Sequence, residues 1–104
     1  MKVSLEICLV PIGVGTSVSA YVAACQTVLA EAGLEPQMHA YGTNVEGEWD
    51  EVFAALKRCH EKVHDMGAVR IFTSLKVGTR TDRVQTLQDK ITSVEDRLSG
   101  KAPG

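Results

Sequence analysis

From Val3 to Leu9 every second side chain is a large aliphatic group, with Ser4, Glu6 and Cys8 in between. An extended strand with one face against a core is the conformation that puts such residues on one side. The rhythm returns in Ala68–Val77, where Val69, Ile71, Thr73, Leu75 and Val77 alternate with Arg70, Phe72, Ser74 and Lys76. Between these runs the period changes. Val18, Tyr21, Val22, Cys25, Val28, Leu29 and Ala32 recur at helical steps, as do Trp49, Val52, Phe53, Leu56, Val63 and Met66. A chain that switches from period two to 3.6 and back twice has few folds open to it.

The boundaries follow from local chemistry. Pro11 is expected to close a strand over Val3–Val10. Thr16 or Ser17 is placed to cap the first helix, and Gly33 to end it in a left-handed conformation. After Pro36, Met38 and Ala40 suggest a short edge strand, where a missing N–H does little harm. Gly42 marks a turn and Thr43–Glu48 returns as the next strand. The second helix ends at Gly67. Thr81 or Asp82 is expected to cap a third helix carrying Val84, Leu87, Ile91, Val94 and Leu98, and the tail 99–104 to fray.

The sum is an α+β fold of ferredoxin-like order, βαββαβ with an added C-terminal helix. Right-handed crossovers put both main helices on one face of a four-stranded antiparallel sheet, with strands one and three central. The other face is left bare. It would display Glu6, Cys8, Val10, Asn44, Glu46 and Phe72, a mixed surface suited to a second copy of the chain. At 104 residues, with 44% hydrophobic and 23% charged, one domain spanning 1–104 is expected.

A net charge of −2 argues against nucleic acid as the main partner. No apolar run reaches the roughly 18–20 residues of a membrane span. The start, MKVSLEICLVP, reads as a strand, not a secretory signal, so a cytoplasmic protein is expected. Cys8, Cys25 and Cys59 are odd in number and lack C-x-x-C spacing, which speaks against a disulfide framework. Cys25 reads as a buried small hydrophobe. His60 and His64 have a spacing that can hold a metal, but no third ligand accompanies them, and a packed pair is the plainer reading.

The stretch PIGVGTS has G-x-G but lacks the third glycine of a dinucleotide loop and the lysine of a P-loop. It can form one wall of a pocket whose other wall is the hairpin 41–48. Glu6 and Glu46, on adjacent strands, are open to three readings: neutralised by Arg70 and Lys76, receiving a cationic ligand, or serving as acid and base.

P-I-G with T-S-V-S-x-Y, then Y-G-T-N-V-E-G-E-W-D-E-V, His60 after Cys59, and G-A-V-R-I-F-T-S-L-K-V-x-x-R-x-D resemble the small thiamine-binding protein family from Val3 to about Val94. G-T-x-x-E-G, Gly42–Gly47, is the most specific segment. The resemblance implies a homotetramer assembled as a dimer of dimers and no established enzyme activity; no cofactor and no bound metal are expected. It also implies that thiamine or its aminopyrimidine moiety binds at a subunit interface, with Ile12, Ser17, Thr43, Asn44 and Glu46 as pocket residues. A structural or regulatory oligomer without thiamine is the alternative.

Overall fold

The computed structural model describes residues 1–100; the end of the expected frayed tail lies outside them. The elements are β1 (Lys2–Ile12), α1 (Ser19–Glu31), β2 (Gln37–His39), β3 (Gly42–Glu48), α2 (Trp49–Asp65), β4 (Arg70–Gly78) and α3 (Leu87–Leu98). The sheet order is β2-β3-β1-β4 and every pairing is antiparallel. This is the ferredoxin-like α+β arrangement, with β1 and β3 central.

Val3, Leu5 and Ile7 of β1 and Val45 of β3 point to one side, where Cys25 and Leu29 of α1 meet Val52, Ala55, Cys59 and Val63 of α2. Burial of these aliphatic groups, about 1.5–3 kcal/mol for each large one, holds the helices on the sheet. Trp49 and Phe53 close the start of α2, their ring centroids 4.6 Å apart.

Several boundaries differ from those read in the sequence. β1 does not stop at Pro11. Its register with β3 ends at Ile7↔Thr43, while that with β4 runs on to Ile12↔Arg70. Beyond Ile7 one edge of β1 is therefore unpaired, and a residue without an N–H is tolerated there. Neither Thr16 nor Ser17 caps α1. Val18 holds the N-cap position and no side chain caps the helix. Gly13 and Gly15 both take positive φ, 80° and 98°, so the loop arrives at Val18 by a path the hydroxyl residues do not direct.

The β2–β3 connection is the pair Ala40–Tyr41, and Gly42 is already in β3. His39 Nδ1 accepts the Tyr41 N–H at 3.3 Å, steadying that turn. Gly42 is needed for a different reason: a Cβ there would lie 2.7 Å from the Ile7 carbonyl oxygen.

α3 starts later than expected. Thr86, not Thr81 or Asp82, is its cap, in a reciprocal capping box with Asp89. Asp82 instead pairs with Arg80, which also reaches Gln85 at 2.6 Å, so this stretch folds as a loop and Val84 is 88% exposed. Among the described residues α3 contributes nothing to the core. The radius of gyration is 15.8 Å, against about 13 Å for a compact chain of this length.

β4 is an edge strand. Of its residues expected to face the helices, Ile71 packs on the core, Leu75 and Val77 stay largely exposed, and Val69 precedes the strand.

Candidate functional site

The stepped end of the sheet makes a hollow. β1 continues past Ile7 while β3 has turned away, and the β2–β3 hairpin, the 16–18 loop and the face of α1 enclose the gap. The cavity is about 920 Å³, within the range that holds a compact organic ligand. Val22, Cys25 and Leu29 of α1 and Ile7 and Leu9 of β1 make its wall apolar, with Cys59 behind them. Cys8 and Val10 belong to the opposite face of β1 by alternation, so they meet the cavity through their backbone. There β1 keeps β4 on one edge but has no partner on the other, leaving the peptide groups of that edge free to bond to a planar ligand edge.

Polar side chains are few. Thr43 is 6% exposed and its Oγ1 accepts a hydrogen bond from Gln26 Nε2 at 2.8 Å. Ser17 lies at the rim and contacts Ser19, Oγ to Oγ 3.3 Å. Tyr41, 86% exposed, and Met38 stand over the mouth.

Of the five residues expected to form one pocket, the structure brings Ser17 and Thr43 together. The other three lie on the far side of the sheet. Ile12 is on the bare face of β1 and 41% exposed. Asn44 follows Thr43 in the strand and so points oppositely; its Oδ1 lies 3.3 Å from His39 Nε2. Glu46 Oε2 accepts the Leu87 N–H at 3.0 Å, tying the start of α3 to β3.

Glu6 and Glu46 do share the bare face, but each has its own partner. Glu6 lies 3.4 Å from His39 Nε2, not in an ion pair with Arg70 or Lys76 among the described residues. Sequence reasoning missed His39 and Gln26. Gln26 sits one step from Cys25 and four from Val22, at the border of the apolar stripe of α1, and that border position was its only signal.

The histidine pair of α2 is used structurally. His60 Nε2 meets Thr73 Oγ1 at 2.7 Å, and His64 Nδ1 meets the Ala68 carbonyl at 2.7 Å. Burial, and secondarily His64, hold the His60 imidazole below its ordinary value of 6.5. Among the described residues no group of three or more His, Cys, Asp or Glu is placed to bind a metal. No helix of the described residues is long and apolar enough to cross a membrane.

A second hollow of about 730 Å³ opens on the bare side, lined by Ser4, Glu46, Gly78 and the 79–86 loop. Loop side chains wall it, whereas the first is framed by helix and strand.

A one-sided sheet with an apolar hollow and the part-buried Gln26–Thr43 pair in its wall defines a small α+β domain suited to holding a compact ligand. Comparison with known proteins gives the family. The family described as Thiamine-binding protein matches residues 5–95, and the chain belongs to it. A UPF0045 protein of Synechocystis is 65% identical over 98 residues, covering 94% of this chain and 81% of the relative. One of Eremothecium gossypii is 46% identical, with 91% of each chain covered. The crystal structure of a hypothetical protein from Methanocaldococcus jannaschii superposes with TM-score 0.83 at 33% identity, over 97% of this chain and 98% of the other. A candidate thiamine biosynthesis/salvage protein of Thermotoga maritima shares the fold, with TM-score 0.77 at 19% identity over 90% and 99%.

Proposed function

We propose that the chain is a non-enzymatic binding protein for thiamine or its aminopyrimidine moiety, held in the hollow between α1 and the β2–β3 hairpin. The observation that carries this reading is the Gln26–Thr43 pair. Because Thr43 Oγ1 accepts from Gln26, its own O–H is free to donate; Gln26 Oε1 is left free to accept. A donor beside an acceptor matches an aminopyrimidine, whose ring nitrogen accepts next to an amino group that donates. Tyr41 at the mouth offers a π face to the thiazolium cation. Family membership and the Thermotoga maritima neighbour's link to thiamine support the same ligand.

Calorimetry with thiamine, and separately with a free aminopyrimidine, tests this. Both are expected to release heat with one site per chain. No heat at millimolar ligand, with the fold intact by circular dichroism, refutes it.

A second reading concerns assembly, and one observation favours it. Val10, Ile12 and Phe72 stand exposed on the bare sheet face, and α3 shows Ile91, Val94 and Leu98 along one seam. Apolar surface so distributed suits a homo-oligomer, with the tetramer as our proposed state. If the chain assembles but binds no thiamine, the structural or regulatory oligomer is the better description. Light scattering separates assembled from monomeric chains.

A further inference from the structure

Two cysteines that the proposed ligand role does not use lie in the wall of the same hollow. Cys25 comes from the inner face of α1 and Cys59 from the inner face of α2. The Cys59 thiol donates to the Cys25 carbonyl oxygen, Sγ to O 3.9 Å, which sets its sulfur against the backbone of Cys25. Both are free, and Cys8 is on the opposite face of the sheet.

We propose that Cys25 and Cys59 form a redox modification site, closing to a reversible disulfide that links α1 to α2 when peroxide enters through the hollow. The bond requires the sulfurs to come to about 2.05 Å.

The two sulfurs have different roles. The neighbouring Cys59 holds the Cys25 thiol below its ordinary value. The same contact and burial push Cys59 up. Cys25, 7% exposed on the wall against 2% for Cys59 behind it, is the sulfur an oxidant in the hollow meets first, and so the nucleophile. Its thiolate sulfur takes one oxygen of hydrogen peroxide as the O–O bond breaks. The other oxygen leaves as hydroxide and collects the proton Cys25 gave up, so Cys25 becomes a sulfenic acid. That product is neutral, and the anion that suppressed ionisation of Cys59 is gone. The Cys59 sulfur then attacks the Cys25 sulfur, the S–O bond breaks, and hydroxide departs with the Cys59 proton as water. Two electrons pass from the thiols to peroxide and two waters form.

The site rests on the hollow and not on thiamine being its ligand. Its readout needs no ligand, so its failure and that of the thiamine reading are seen separately.

The test treats the reduced, folded full chain with hydrogen peroxide and follows intact mass and peptide maps. The expected result is loss of two hydrogen atoms per chain, a linked peptide pair holding Cys25 and Cys59, and full reversal by dithiothreitol. The rate is expected not to change with protein concentration, and the linked form to melt several degrees higher. Cys8→Ser should form the link unchanged. Cys59→Ala should leave Cys25 carrying oxygen instead. Accumulation of sulfinic acid at Cys25 in the unsubstituted chain without a 25–59 link overturns the proposal. So does oxidation confined to Cys8, or a link that forms only between chains.

Discussion

Thr43→Val removes one oxygen from the wall of the hollow and leaves its shape. Valine is the isostere, β-branched and at home in a strand, so backbone and packing should hold. Three terms change. The Gln26–Thr43 bond, 2.8 Å long and part-buried, contributes about 0.5–1.5 kcal/mol to stability. Gln26 keeps an unpaired amide, though one that faces the hollow, where water can replace the lost acceptor. The added methyl, at a position only 6% exposed, returns up to about 0.8 kcal/mol. The net runs from about zero to a loss of about 1.5 kcal/mol, a melting temperature lower by no more than about 12 °C. Binding should respond more strongly. The variant offers no O–H to the ring nitrogen and frees Gln26 to rotate, so one ligand hydrogen bond is lost and another loosened. That costs about 1–3 kcal/mol, a five- to 150-fold weaker Kd for thiamine. Denaturant melts and calorimetry on the same preparation separate the two effects. A variant with lowered stability and unchanged affinity would show that the pair only braces α1 on the sheet. Adding Gln26→Leu completes a double-mutant cycle, and additive binding losses would refute the paired donor–acceptor argument.

Three other perturbations probe the frame around the site. Gly42→Ala puts a Cβ 2.7 Å from the Ile7 carbonyl, so the hairpin must shift off β1, with an expected cost of about 1–3 kcal/mol; an unchanged urea midpoint would contradict this close approach. Phe72, 57% exposed beneath the Arg70 guanidinium, can become Glu at a cost within about 0.5 kcal/mol if the face is solvated, but light scattering should show monomers if that face joins copies; intact oligomers would rule it out as the contact. His60, held below 6.5, resists protonation when folded, so its contribution is present above pH 6.5 and declines as pH falls below that value. The melting temperature should drop from pH 7 towards 5.5, and His60→Gln should flatten the slope; an equal slope would assign it to other groups.

The order of elements was legible because burial writes itself in periodicity. Val3, Leu5 and Ile7 had to face a core, and the helices had to cover them. The ends were less legible because they depend on pairing partners. Pro11 reads as a terminator until one sees that β3 has left β1 by then. Thr81 and Asp82 read as caps until Arg80 claims Asp82 and Thr86 takes the role with Asp89. In the site, Ser17 and Thr43 are together, but Thr43, Asn44 and Glu46 could not share a cavity in any strand, since neighbours point to opposite faces. Gln26 lacked a distinctive pattern because its role arises from what the hairpin brings to it.

Why the hollow lies where it does follows from strand lengths. β1 has 11 residues and β3 has 7, and an antiparallel pair that runs from Lys2↔Glu48 to Ile7↔Thr43 leaves five residues of β1, Cys8 to Ile12, beyond the last pairing. The helix laid across this step lines it without filling it, with Val22, Cys25 and Leu29 of α1 on the wall. The chain needs residues that can bend around the gap, which it has in Gly13, Gly15 and the tight Ala40–Tyr41 turn. The exposed strand edge then supplies backbone polarity to a space that side chains leave apolar. Recognition by peptide groups, together with one hydroxyl and one amide, suits a flat neutral ring such as an aminopyrimidine inside the hollow, with any cationic part of the ligand left at the mouth beside Tyr41. Lengthening β3 by two residues, to pair with Leu9, would close the gap, and on this reasoning it would abolish binding while stabilising the sheet.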